Sequence, residues 1–329
     1  MDKLIKIVID TKGGDRGAGV MIKGAGMALE KHPELGVLLV GDALSMRQTC
    51  ESLGLPMERV ELLDAPGEIT NYNDPADALF HKTDSSMLTG LRALAQREEL
   101  AGMITCGSTG VLLAGAVRYL PGERRVRPAL AAVLPAENGG FTCLVDTGAT
   151  IDCTPAMLQH FALLGSKLMR EMYAIESPRV GLLSNGTEPT KGNKLVKETY
   201  PLLEADERLN FVGNIEGSGA LSGDCDVLVC DGFAGNQVLK VTEGTAKRII
   251  TDVMRYAHRT GSEEIKKLGA HLMGLYDIGS LGGGLILGAA KPVVKARGSA
   301  DEKAVVSTAG MILNIAQNRA VFDKKDNHI

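Results

Sequence analysis

Lys191 lies in the stretch SNGTEPTKGN (Ser184–Asn193), where an apolar run, Val180–Leu183, gives way to glycines and small polar residues. A single cation set among backbone N–H groups suits a small tetrahedral anion such as phosphate. As a plain solvated lysine in the first turn of a helix, its charge would instead oppose the positive end of the helix dipole, by about 0.3–1 kcal/mol. Four more loops share this composition: DTKGGD (Asp10–Asp15), CGSTG (Cys106–Gly110), DTGATID (Asp146–Asp152) and CDGFAGN (Cys230–Asn236). Glycine lets the backbone approach a ligand and turn N–H groups toward an anion, and a following helix adds its positive end. One such loop is ordinary turn chemistry. Five, each after an expected strand, point to an anion site.

Other chemistries lack their signatures. No loop reads GxxxxGK[ST], and no GxGxxG follows the first strand, which argues against a P-loop ATPase and an ordinary dinucleotide-binding dehydrogenase. No GxSxG turn supports a hydrolase triad. The six histidines form no pair at ligand spacing. Asp10, Asp15, Asp146 and Asp231 read as turn and cap residues rather than as a carboxylate metal site. Neither a metal nor a cofactor is expected.

The elements that must position these loops alternate along the chain. Short apolar runs at Leu4–Ile9, Val37–Val40, Val60–Leu63, Gly102–Thr105, Leu130–Leu134, Thr142–Val145, Val180–Leu183, Phe211–Val212 and Val227–Val229 read as strands, several apolar on successive residues as in sheets covered on both faces. Helical periods fall at Val20–Lys31, Ala43–Leu53, Ser85–Glu98, Thr109–Tyr119, Pro155–Tyr173 and Lys191–Ala205, and Asp74 before Pro75 marks another helix start. This order predicts an α/β protein with a largely parallel, doubly wound sheet, whose ligands bind beyond the carboxyl ends of the strands. No linker or repeat divides the sequence, so residues 1–329 are expected to form a single α/β domain with a helical excursion at about 250–285.

Composition narrows the class further. Hydrophobic residues make up 44% of the chain, which excludes disorder, and 329 residues allow a substantial core. Aromatics at 4%, no tryptophan and a net charge of −4 argue against a nucleic-acid partner. Six dispersed cysteines without a CxxC read as reduced thiols. The N-terminal residues lack the apolar run of a signal peptide, and no segment approaches the ~20 apolar residues of a membrane span, so a soluble, cytoplasmic protein is expected.

The motifs IDTKGGD, LVGD (Leu39–Asp42), KTDSSM (Lys82–Met87), STG (Ser108–Gly110), DTGATIDC, GLLSNGTEPTKGN, FVGNIEG (Phe211–Gly217), VCDGFAGNQVLK (Val229–Lys240) and GSADEKA come in an order and spacing that resemble the bacterial phosphate acyltransferase family of phospholipid synthesis. The resemblance runs over nearly the whole chain. It implies a three-layer α/β/α sandwich like that of the isocitrate/isopropylmalate dehydrogenase group, and a homodimer. It also implies the reaction of an acyl thioester on acyl carrier protein with inorganic phosphate, giving acyl phosphate and free carrier protein. By the same resemblance, Lys191 is the leading catalytic residue; we take Asn193 and Asn236 as orienting donors. Asp10, Gly13, Gly14, Gly107, Ser108, Thr109, Gly110, Gly186, Asp231 and Gly235 form the expected substrate- and phosphate-binding set. Phosphate is already an anionic nucleophile, so the site need only hold it against the thioester carbonyl and stabilise the oxyanion.

The sequence departs from the family pattern in places. Thr11 and Lys12 replace Ala-Met, Ser108 stands where an asparagine is usual, Cys106 replaces a small residue, Arg297 replaces a histidine, and IGSLGGGLILG replaces YGGAPLLG. Ser108 shortens one expected substrate contact, and the C-terminal changes alter the expected acyl-site wall, which leaves a short-chain phosphotransacylase acting on acyl-coenzyme A as one alternative. A non-catalytic acyl-carrier-binding relative is another, and a metal- and NAD-dependent decarboxylating dehydrogenase of similar fold lacks its acids and arginines here. Cys106 invites a covalent acyl-enzyme at a helix N-terminus, but direct attack by phosphate needs no enzyme nucleophile. In Gln237–Leu275, residues Val238, Leu239, Thr242, Ala246, Ile249, Ile250, Val253, Met254 and Ala257 form one apolar stripe, the mark of a core-packing helix with a basic solvent side. Its far end, with Lys266 and Lys267, is expected at a dimer contact, with weak peripheral attachment to an anionic membrane.

Overall fold

The computed structural model of the chain describes residues 4–122, 127–276 and 283–318. Contacts gather into two compact units, one of residues 1–128 with 279–329 and one of residues 129–278, a division that the single-domain reading of the sequence does not draw. The chain begins with β1 (Ile5–Asp10), α1 (Ala18–Lys31), β2 (Leu35–Gly41), α2 (Ala43–Ser52), β3 (Val60–Asp64), α3 (Pro75–His81), α4 (Ser86–Gln96), β4 (Leu100–Thr105) and α5 (Thr109–Tyr119). The second unit holds β5 (Ala129–Pro135), β6 (Phe141–Val145), α6 (Pro155–Tyr173), β7 (Arg179–Ser184), α7 (Lys194–Glu204), β8 (Asn210–Glu216), β9 (Val227–Val229), α8 (Gly232–Thr260) and α9 (Glu263–Tyr276). The chain then returns to the first unit with β10 (Gly284–Leu287), β11 (Val293–Lys295) and α10 (Glu302–Asn318).

In the first unit the strands follow the order β3-β2-β1-β4-β11-β10, all neighbours parallel except β11 and β10. Successive residues of a strand face opposite sides, so Gly102 and Met103 of β4 report on both faces. A Cβ on Gly102 would lie 2.6 Å from Ile312 of α10, while the Met103 methyl lies 3.0 Å from where a Cβ on Gly90 of α4 would stand. Helices therefore cover both faces, which explains why β1 and β2 are apolar without alternation. In the second unit the order is β5-β6-β9-β7-β8, parallel except for β5 with β6. Here Val227 faces Gly165 of α6, and Leu228 joins the cluster against which Val238 and Leu239 of α8 pack. Each unit is a mostly parallel α/β sheet between helices.

Local chemistry sets the helix ends. Asp74, Ser85, Thr154, Asn193 and Asp231 accept N–H bonds as N-caps, and Pro75 and Pro155 occupy first-turn positions. The largest difference at a helix start is in α7, which begins at Lys194, not Lys191. Gly192 is held at φ +101°, and Asn193 caps the helix through Val196 N–H, so Lys191 lies ahead of the helix in the loop.

The stripe on α8 also differs. Its residues do not enter a core along their length: Ile249 is 53% exposed, and among the stripe only Ala257 is buried. From Gly261 the chain reverses into α9, whose Gly269 closes on Val253 and Met254, so α8 and α9 form a hairpin. The excursion expected at about 250–285 is this hairpin as far as Tyr276; residues 277–282 lie outside those described. No helix among the described residues is long and apolar enough to cross a membrane.

Candidate active site

Both units place their glycine loops at the carboxyl ends of parallel strands. In the first unit, Asp10 ends β1 and is 1% exposed. Its Oδ2 accepts the Thr105 hydroxyl at 2.7 Å, its Oδ1 accepts Lys12 N–H at 3.1 Å, and Ser86 adds a further hydrogen bond. Burial raises the Asp10 carboxyl to about 6, against the opposing effect of those three bonds and with some help from Glu68. Thr105 Oγ1 in turn accepts Gly107 N–H at 3.1 Å. Gly13, at φ +79°, lies so close that a Cβ there would stand 2.8 Å from Gly107 Cα. Asp15 N–H binds Gly298 O at 2.8 Å, drawing the segment after β11 to the same loop.

Ser108 is the N-cap of α5 but makes no side-chain cap bond, so the first-turn N–H groups around Thr109 and Gly110 have no intrahelical acceptor. Cys106 is 3% exposed against Met21 and Gly14. Burial pushes its thiol to about 11, and the nearby Lys295 charge only partly offsets this. A thiolate nucleophile is not favoured there. Lys295, at the carboxyl end of β11 in register with Thr105, is a cation that the sequence reading missed. Its strand is only three residues long, ends in the lysine itself and follows Lys291 and Pro292, which hides the apolar signal. The half-buried Lys295 ammonium donates to Ala296 O at 2.6 Å.

In the second unit the Lys191 loop is held from three sides. Lys191 N–H bonds to Glu188 O at 3.0 Å, Gly192 N–H bonds to Asn185 Oδ1 at 2.9 Å, and Asn214 of β8 donates its Nδ2 to Glu188 O at 2.8 Å. The Lys191 stem lies over Gly186, where a Cβ would meet Lys191 Cγ at 2.8 Å. Gly186 is therefore required for the lysine's path. Asn193 uses its Oδ1 on the helix cap, leaving its amide N–H groups on the exposed side.

The loops after β6 and β9 interlock in the same unit. Asp146 Oδ1 accepts N–H from Leu130, Gly148 and Ala149, and its Oδ2 accepts Thr150 N–H at 2.6 Å. Burial raises its carboxyl, and these bonds act in the other direction. A Cβ on Gly235 would overlap Asp146 O, and one on Gly232 would lie 2.6 Å from Thr150 O, so both glycines are fixed by backbone contact. Asp231 caps α8 through Ala234 N–H at 2.7 Å. Half-buried Asn236, one turn into α8, lies beside Gly148.

The two units thus bring together two sets of expected site residues: Asp10, Gly13, Gly14, Gly107, Ser108, Thr109 and Gly110 in the first, and Gly186, Lys191, Asn193, Asp231, Gly235 and Asn236 in the second. Asp10 and Asp231 differ from the rest, since both carboxylates accept hydrogen bonds from their own chain and offer no donor to an anion.

Residues 5–319 match the family model described as "Fatty acid synthesis protein". A phosphate acyltransferase of Halothermothrix orenii is 37% identical over 308 residues, covering 92% of each chain. One from Lacticaseibacillus casei is 36% identical over 330 residues, covering 98% of this chain and 95% of the relative. Among solved structures, a phosphotransacetylase from Streptococcus pyogenes covers 97% of this chain and 95% of its own with a TM-score of 0.63; at 16% identity the likeness is one of fold. An α/β enzyme that transfers acyl groups is the class these likenesses define. The chain belongs to the phosphate acyltransferase family of fatty acid synthesis proteins.

Proposed function

We propose that this enzyme transfers an acyl group from acyl carrier protein to inorganic phosphate. A phosphate oxygen attacks the thioester carbonyl carbon, the C–S bond of the tetrahedral intermediate breaks, and the carrier's thiolate leaves to take a proton from solvent. Acyl phosphate and free carrier protein are the products. The observation that carries this reading is the held Lys191: its loop is clamped by Asn214 and Asn185, and its stem is directed over Gly186. A cation presented from a held loop after β7, ahead of a helix N-terminus, lowers the cost of bringing anionic phosphate to a carbonyl and balances the developing oxyanion. The free amide N–H groups of Asn193 and the side chain of Asn236 serve as orienting donors. In the first unit, the loops of Gly13, Gly14, Gly107, Ser108, Thr109 and Gly110 carry backbone donors suited to an anion.

The same reading includes a homodimer formed through the α8–α9 hairpin, where Val241, Ile249, Tyr256, Leu268, Met273 and Leu275 are exposed. It also includes salt-sensitive attachment to anionic lipid, favoured by Lys266 and Lys267. The fold that goes with it is the isocitrate/isopropylmalate dehydrogenase-like sandwich. The test is to incubate the purified protein with phosphate and a panel of acyl-carrier and acyl-coenzyme A thioesters, trapping acyl phosphate with hydroxylamine. Phosphate-dependent hydroxamate from the carrier thioesters is expected. Product confined to short acyl-coenzyme A substrates would transfer the reaction to a phosphotransacylase, and no product from any thioester would end the catalytic reading.

A further inference from the structure

We infer that Asp10 is a positioning residue: its buried carboxylate, acting through Thr105 and Gly107, fixes the turn that leads from β4 into the uncapped N-terminus of α5. The inference rests on the reading above only in treating that helix start as part of the substrate site.

Three donors converge on Asp10, namely the Thr105 hydroxyl, the Ser86 hydroxyl and Lys12 N–H. Thr105 cannot replace the carboxylate with a different partner at will. Its oxygen already accepts Gly107 N–H, so its proton is directed to an acceptor, and an ionised carboxylate is the side chain that accepts at both oxygens at once. The result is a directional chain running from Gly107 N–H to Thr105 and from Thr105 to Asp10. Gly107 sits one residue before the α5 cap, so this chain sets where the first-turn N–H groups of α5 point. The loop after β1 is fixed by the same group, through Lys12 N–H, and its Gly13 backbone rests on Gly107. The negative charge lies beneath both loops, 1% exposed, and is withdrawn from an anion held above them.

Amidation or protonation of Asp10 leaves one acceptor oxygen and puts a donor on the other, so the Thr105 hydroxyl on Oδ2 and Lys12 N–H on Oδ1 can no longer both be accepted, and the hold on the two loops is weakened. The titratable groups near Asp10 from neighbouring elements are Glu68 in the segment after β3 and Cys106 after β4, and Asp15 and Lys295 also act on Cys106.

Amide hydrogen exchange of the unligated chain and steady-state kinetics, both at pH 7.5, test this with Asp10→Asn, Thr105→Val and Thr105→Ser. The Gly107 amide is expected to exchange about tenfold faster in Asp10→Asn and Thr105→Val, the loss of one well-placed hydrogen bond, and to stay protected in Thr105→Ser. The ratio kcat/KM for phosphate is expected to fall about tenfold in the first two variants and to hold in the third, without a parallel fall in Tm. As pH drops below about 6, wild type should converge on Asp10→Asn, whose own profile lacks that limb. Unchanged Gly107 exchange in Asp10→Asn, or activity lost only in step with thermal unfolding, would overturn the inference. A wild-type chain without phosphate-dependent turnover would instead sink the functional reading, while the exchange comparison still decides the role of Asp10.

Discussion

Asn214 and Glu188 are joined across the second unit by a 2.8 Å hydrogen bond from the asparagine amide to the glutamate carbonyl. That carbonyl also accepts Lys191 N–H, so a residue of β8 that is 4% exposed governs the backbone of the lysine loop. Asn214→Asp keeps the shape, removes the donor and brings a carboxylate under the carbonyl. It should cut kcat about tenfold or more, the equivalent of one hydrogen bond to a held loop. Activity equal to wild type in Asn214→Asp would show that the clamp has no bearing on Lys191.

Lys191→Ala should lower turnover about 100-fold or more while Tm stays near wild type, because removing one preorganised charge stabiliser costs about 3–4 kcal/mol. The side chain is exposed and contributes little to packing. Lys191→Arg should rescue poorly, since a planar fork does not follow the path of a compact ammonium over Gly186. Near-normal turnover in the alanine variant would make Lys191 a solvated surface residue.

Cys106→Ser should keep most of the activity. The thiol is buried and its pKa is pushed up to about 11, chiefly by burial, so direct attack by phosphate leaves it no chemical part. Capture of an acyl group on Cys106 by mass spectrometry after a substrate pulse would reverse this conclusion.

Most of the fold could be read because its elements are long or continuously apolar. The spans expected for α5, α6 and β9 match those observed, and Asp74–Pro75 marks the start of α3 as expected. What escaped the reading has physical reasons. β10 and β11 have four and three residues and gain their identity from neighbouring strands rather than from periodicity. The helix α10 was open to sequence reading, since Val305, Ala309, Ile312 and Ile315 recur at three- and four-residue steps. The stripe on α8 misled because amphipathicity specifies a partner without saying which one, and the partner here is α9. In the site, glycine loops disclosed an anion-binding character, but clamps such as Asn214 and Asp10–Thr105 depend on which strands become neighbours. No spacing within one segment encodes that.

Lys295→Met should raise KM for phosphate about tenfold with little change in kcat, if this half-buried ammonium beside the β4 loop helps collect the anion. Removing a cation near a binding site costs about 1–2 kcal/mol when the group is partly screened. Lys295→Arg should recover most of the loss, since a charge at this position needs no exact path. An unchanged KM in Lys295→Met would make the lysine a structural residue with no part in collecting phosphate.

The stability of the chain should carry the mark of Asp10 over a defined pH range. In the folded protein this carboxyl holds its proton to about pH 6, and in the unfolded chain only to about 3.8. Below 3.8 both states are protonated and the group contributes no difference. Between 3.8 and 6 the folded state binds more protons, so stability falls as pH rises; above 6 the cost is constant, at most about 3 kcal/mol. Asp10→Asn removes that cost at neutral pH, while at low pH the protonated wild-type carboxyl and the amide make equivalent contacts. The variant should therefore melt higher than wild type at pH 7.5 and close to it at pH 4, even as its phosphate kinetics decline. Other titrating groups are common to both proteins and cancel in the difference. A Tm difference that stays constant from pH 4 to 7.5 would mean that Asp10 is ionised in the folded chain as readily as in water, and that its burial carries no electrostatic cost.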